Sequence, residues 1–139
     1  MFQLMRGVSE IHSKRLIHRD IKSSNILIKG DVLKIADFGL ARSLAEPNRP
    51  YTVEVSTLLY RAPEVILLEG RYSNEIDIWS CACVFFEIVT SSHLFAADSD
   101  IDLINRIFQY LGTPSKEDWP EIYQSKLLYK FNIFEKQTI

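Results

Sequence analysis

Apolar residues recur three apart at Phe2, Met5, Val8 and Ile11, a spacing that predicts an amphipathic helix over residues 1–14. Neither an N-cap nor a leading turn precedes Phe2, so this helix reads as the tail of a longer one. Leu16-Ile17 is a short apolar pair. From Asn25 to Ile35 two β-branched runs flank Gly30-Asp31, the pattern of a hairpin in which Gly30 supplies the positive φ. Periodicity is then lost from Asp37 to Glu64, where Pro47 and Pro50 interrupt the chain. A loop of that length inside a compact domain predicts a functional segment. It carries four hydroxyls, on Tyr51, Thr52, Ser56 and Thr57.

Glu75 to Thr90 is apolar nearly all round, which predicts a central buried helix with Asn74 as its N-cap. Asp77 is the exception on it. A buried carboxylate needs hydrogen-bond donors, and the N–H groups of the His18–Asp20 loop are the expected source. Asp98-Ser99 opens a further helix, with Ile101, Ile104, Ile107, Phe108 and Leu111 expected inward and Gly112 as its stop. Trp119-Pro120 is expected to anchor the next loop. The aromatic-rich stretch Leu127–Phe134 resolves into no element.

Composition changes this picture little. Apolar residues are 47 % and charged residues 24 % of 139, ordinary for a single globular domain. A net charge of −2 with scattered basic residues gives no cationic field for nucleic acid or for an anionic membrane surface. Nor is any apolar run long enough for a membrane span or a secretory signal. Cys81 and Cys83 read either as a C-x-C metal or redox pair or as buried reduced thiols. With no second ligand pair in the chain the thiol reading is preferred, and with it an intracellular setting.

The chemistry is concentrated in His18-Arg19-Asp20-Ile21-Lys22-Ser23-Ser24-Asn25. Asp20 and Asn25, five apart on a loop, can face one pocket, and Lys22 between them can put a compact cation on a phosphate. Asp37-Phe38-Gly39 follows, then Arg61-Ala62-Pro63-Glu64. Any one fixed tripeptide arises by chance about once in 8000 positions; three in this order and spacing do not. In an H-R-D-x-x-x-x-N loop, a D-F-G and an A-P-E, the sequence resembles a protein kinase. Thr57–Glu64, Asp77-Ile78-Trp79-Ser80, Leu94-Phe95, Asp98–Asp102, Arg106-Ile107-Phe108, Leu111–Pro114 and Trp119-Pro120 narrow the resemblance to the larger lobe of the cyclin-dependent kinases.

That resemblance implies a mainly α fold: a partial kinase C-terminal lobe over residues 1–139, its helices joined by a small hairpin beside the catalytic loop. It implies a serine/threonine kinase using ATP and Mg²⁺. Asp20 would accept the substrate hydroxyl proton, Lys22 would sit on the transferring phosphate, and Asn25 and Asp37 would be the metal ligands. Thr57 would tie the activation segment to Asp20 and Lys22. Arg19 and Arg42 would grip a phosphorylated activation segment. Arg61 would shape a pocket for proline after the target residue. His18, Phe38, Gly39, Glu64 and Asp77 would be structural. A protein substrate and a cyclin-type activator are the implied partners, with the cyclin-contacting helix expected upstream of Met1.

The sequence departs from the family pattern in places. Pro50 stands where many relatives have the activating threonine, which makes Thr52, in Pro-Asn-Arg-Pro-Tyr-Thr, the phosphosite candidate. Ser23 follows Lys22 where proline is often found. Ala82 replaces a frequent glycine and Leu59 a frequent tryptophan. The 139 residues contain no glycine-rich loop, no strand lysine for the α/β-phosphates and no arginine partner for Glu64. Two other readings therefore stand beside the enzyme: a kinase-derived binding module, and a fragment that does not fold alone.

Overall fold

A computed structural model describes residues 1–44, 57–68 and 71–135. Helix α1 (Phe2–Ser13) leads into strand β1 (Leu16–Ile17), the loop carrying His18 to Asn25, and a hairpin of β2 (Ile26–Lys29) and β3 (Val32–Ile35). Strand β4 (Arg42–Ser43), a 3₁₀ turn at Leu58–Tyr60, and helices α2 (Pro63–Leu67), α3 (Glu75–Thr90) and α4 (Asp100–Leu111) follow. Two more 3₁₀ turns, Pro120–Gln124 and Leu128–Lys130, lie near the end. The fold is mainly α with a small hairpin beside the loop at His18–Asn25.

The hairpin forms as its sequence dictates. Ile26 pairs with Ile35 and Lys29 with Val32, leaving Gly30-Asp31 as a two-residue turn with Gly30 at φ 59°. The short β1 pairs antiparallel with β4, Ile17 opposite Arg42. That second pairing has no sequence signature, since two residues are too few to show alternation.

The main core joins Leu4 and Val8 of α1, Cys81, Cys83 and Val84 of α3, and Leu103, Ile104, Ile107 and Phe108 of α4. A smaller cluster of Ile17, Ala62, Val65 and Ile76 locks β1 against α2 and the start of α3.

Several packing expectations need correction. In α1 the buried stripe is Leu4, Val8 and Ile11, while Phe2 and Met5 are exposed. Steps of three residues turn 300°, so the string from Phe2 to Ile11 winds round the helix instead of following one face. On α4, Leu103 is fully buried at 0 % exposure whereas Ile101 is 49 % exposed, and Leu111 is exposed too. The two outliers sit in the first and last turns, past the edges of the core. Helix α3 is not buried all round. Ile78, Phe85, Ile88 and Val89 are exposed, the last two at 62 % and 67 %. Asn74 holds the N-cap position of α3 without a side-chain capping bond; its amide meets the His12 ring at 3.2 Å instead. Ser99, in contrast, caps α4 by accepting from the Asp102 N–H, and Gly112 ends it at φ 84°.

Candidate active site

The loop from His18 to Asn25 has little regular structure, so side chains must hold it. Asp77, 1 % exposed on the first turn of α3, accepts from the His18 N–H and the Arg19 N–H at 2.9 Å each. These are the donors that the sequence reading expected for it. A third contact was not foreseen: His12, on the last turn of α1, reaches Asp77 Oδ2 through Nε2 at 2.8 Å. Its only sequence signal is position, a polar residue one turn after Val8 and next to Ile11, the last member of the α1 stripe. Arg19 has φ 69°, a left-handed conformation uncommon outside glycine, and the Asp77 carboxylate holds it there.

His18 fastens the loop to what comes after the hairpin. Its Nε2 is 3.0 Å from the Ala36 carbonyl, which can only accept, so the ring donates there. The other ring nitrogen then accepts from the Asp20 N–H at 3.3 Å. Its ring also meets Phe38 edge-on at 4.9 Å between centroids. One buried imidazole thus spans Asp20 and the segment bearing Asp37.

The Asp20 side chain is nearly closed off and surrounded by donors. Lys22 Nζ lies 2.8 Å from Oδ2 and Asn25 Nδ2 donates to the same oxygen at 3.0 Å. Oδ1 faces the N–H and hydroxyl of Thr57, both at 3.4 Å. Lys22 Nζ also donates to Thr57 Oγ1 at 3.0 Å. Thr57 therefore bridges the loop and the segment leading to Arg61.

Asn25 and Asp37 are brought to one end of the hairpin. The Ala36 N–H donates to the Asn25 carbonyl at 2.8 Å, extending the ladder one step past the Ile26–Ile35 pair. Asp37, the next residue, takes a left-handed φ of 61°, which aspartate tolerates better than most residues. Its Oδ1 accepts from the Gly39 N–H at 3.2 Å. A Cβ at position 39 would sit 3.1 Å from that oxygen, so a side chain there would require the Asp37 carboxylate to shift by a few tenths of an ångström. With its NH₂ turned to Asp20, Asn25 presents its amide oxygen as the hard-ligand half of the group. An amide oxygen and an exposed carboxylate at one hairpin end suit Mg²⁺, which takes one or two protein ligands and fills its shell with water and phosphate oxygens.

The remaining candidates are placed less centrally. Arg19 Nε donates to the Leu40 carbonyl at 2.7 Å and Nη1 to the Tyr72 hydroxyl at 3.2 Å. Arg42 of β4 stands opposite Ile17 of β1, and Arg19 follows two residues after Ile17 in the loop that leaves that strand. Thr52, the phosphosite candidate, lies outside the described residues. Arg61 pairs with Asp100 of α4 at 2.6 Å. Glu64 has its carboxyl pushed above the usual range, chiefly by burial and further by Glu75, with a backbone hydrogen bond opposing. No cation pairs with it among the described residues. Cys81 and Cys83 are free, buried thiols pushed up to about 12 by burial, as the thiol reading expected.

The sequence reading also missed Tyr60 and Glu87. The Tyr60 hydroxyl donates to Glu87 Oε2 at 2.7 Å, joining the segment after Thr57 to α3. Glu87 could have been noticed as a carboxylate deep in an apolar helix, ten residues after Asp77.

No helix among the described residues is long and apolar enough to cross a membrane. A family model described as "Protein kinase domain" matches residues 1–133. Among solved structures, a chain of the yeast RNA Pol II CTD kinase CTDK-1 complex is similar at 37 % identity with a TM-score of 0.85. The match covers 99 % of the present chain and 45 % of the yeast one, so this chain spans less than half of that relative.

Proposed function

The chain belongs to the protein kinase family, on its cyclin-dependent-like branch, and on that premise we propose that it is the catalytic half of a serine/threonine kinase that phosphorylates Ser-Pro and Thr-Pro sites. The observation that carries this reading is the meeting of Lys22, Asn25 and Thr57 on the buried Asp20 carboxylate, beside the hairpin end that bears Asp37.

Asp20 orients a substrate hydroxyl and receives its proton. The three donors hold the carboxylate so that little reorganisation is needed as the hydroxyl arrives, and phosphoryl transfer depends mainly on such positioning. Lys22 brings positive charge to within 2.8 Å of the base, where it can shift toward a transferring phosphate. The Asn25 amide oxygen and the Asp37 carboxylate are the groups that would hold Mg²⁺. Magnesium, once bound, supplies the charge that neutralises the nucleotide phosphates. The cradle for the rest of ATP would come from residues outside these 139. Arg19, in the loop after β1, and Arg42, on β4 beside β1, would receive phosphorylated Thr52.

Partners and place follow by analogy. The yeast relative is described as an RNA polymerase II CTD kinase in a complex. That makes a Ser-Pro peptide of that domain the first substrate to try, a cyclin-type subunit the first partner, and the nucleus or cytoplasm the expected setting. In the full-length protein, Asp20→Ala should reduce phosphate transfer from Mg·ATP to this peptide by about 10²–10⁴-fold. Transfer at the wild-type rate would reject the proposal. The binding-module reading would take its place if the full-length protein neither bound Mg·ATP nor transferred phosphate.

A further inference from the structure

Ser23 is a departure from the family pattern that the proposed chemistry leaves unused. Its hydroxyl lies 3.1 Å from Glu87 Oε1 on α3 and 3.1 Å from the Tyr60 hydroxyl. Tyr60 in turn donates to Glu87 Oε2 at 2.7 Å. The two oxygens of one carboxylate thus grip two hydroxyls, one from the catalytic loop and one from the segment that continues into Arg61. Each hydroxyl has a single proton. Tyr60 directs its proton to Oε2, and Ser23 has Oε1 and the phenol oxygen as its two acceptors. Proline, at this position, would offer no donor at all.

The geometry explains what such a grip can do. Lys22 immediately precedes Ser23, and its ammonium already holds Asp20 and Thr57. Thr57 is joined to Tyr60 by one 3₁₀ turn, closed by the Tyr60 N–H on the Thr57 carbonyl at 3.0 Å. Residues 20–23 and 57–60 are therefore cross-braced twice, once through Lys22 and Thr57 and once through Ser23, Glu87 and Tyr60. The Ser80 hydroxyl also ties the Tyr60 carbonyl to α3 at 2.8 Å, but the first brace joins residues 57–60, the acceptor-side segment, to the catalytic loop at Thr57 alone. The second fixes its orientation relative to the proton-accepting carboxylate. Burial first, then the Glu87 carboxylate, raises the Tyr60 phenol above its ordinary range against the opposing Ser23 bond, so Tyr60 stays a donor.

We propose that Ser23 is a positioning residue for the protein substrate, acting through Glu87 and Tyr60 to fix the acceptor-side segment against Asp20 and Lys22. The proposal rests on the kinase reading above. It assigns Ser23 to substrate placement and not to nucleotide binding, because the partners of its hydroxyl, Tyr60 and Glu87, lie on the segment after Thr57 and on α3.

The test uses the full-length protein and a Ser-Pro peptide. Ser23→Ala should lower kcat/KM for the peptide by about three- to tenfold, the worth of one hydrogen bond. KM for ATP should stay within about twofold of wild type. Ser23→Thr, which keeps the hydroxyl, should restore peptide kinetics. The fall in Tm caused by Ser23→Ala should shrink when Tyr60 is already Phe, as expected for neighbours in one network. Unchanged peptide kinetics in Ser23→Ala, equal changes for peptide and ATP, no rescue by threonine, or strictly additive Tm changes would each overturn the proposal. An Asp20→Ala control separates the two ideas. If wild type and Asp20→Ala transfer phosphate equally, the kinase reading itself fails and the positioning role falls with it.

Discussion

Asp77 holds two backbone N–H groups and a histidine ring with one buried carboxylate. Removing it strands donors that have no water to turn to. Asp77→Ala should therefore destabilise the protein by about 1–3 kcal/mol, read as a lower urea midpoint; an unmoved midpoint would contradict the role. The cysteines make an independent test at this scale. Their thiols sit at about 12 in the fold against an ordinary value of 9.0. Burial disfavours the thiolate, so the stability linked to them is whole below pH 9 and drains away as pH climbs from 9 toward about 12. At pH 8 both should resist iodoacetamide in the native protein and react in urea, as mass spectrometry would show. Rapid native alkylation of either would mean that it is not buried as described. Single residues were also where the sequence spoke most clearly. Asp77 stood out because a carboxylate set among the apolar residues of a helix must find donors, and the sequence even pointed to the right loop. His12, Tyr60 and Glu87 did not, because nothing local tells which polar residue a distant turn will meet.

At the scale of elements, the hairpin and the limits of α3 and α4 could be read from turn chemistry and apolar density. Facing was harder. Sequence marks which residues are apolar, but burial depends on what packs opposite, and the terminal turns of α4 reach beyond their neighbours. Leu103 and Ile101 separate these cases on one helix. Leu103→Ala should cost about 2–5 kcal/mol, as a truncation in a closed core does. Ile101→Ala should stay within about 0.5 kcal/mol. Chemical denaturation of both variants checks the pair, and equal losses would show that α4 is rotated from the orientation described. Strand β4 escaped the sequence reading because its hydrogen bonds are fixed by β1, not by its own pattern.

The whole molecule is a lobe whose polar centre is better finished than its surface. Asp20, His18 and Asp77 are buried and hydrogen-bonded. Meanwhile the outer residues of the hairpin, such as Ile28 and Val32, and the exposed row on α3 leave apolar side chains open among the described residues. Motif spacing picked out residues that the fold brings together, because Asp20, Lys22, Asn25 and Asp37 lie on two short loops that flank the strands of one hairpin. The braces behind them come from helices far away in sequence, and they had to be seen in three dimensions.

The most direct measurement is nucleotide affinity of the full-length protein, by calorimetry, with and without magnesium, for wild type and Asp37→Ala. If the hairpin brings Asn25 and Asp37 together around the metal, magnesium should strengthen ATP binding to wild type, and Asp37→Ala should abolish most of that gain. Equal magnesium-dependent affinity in both proteins would contradict the account.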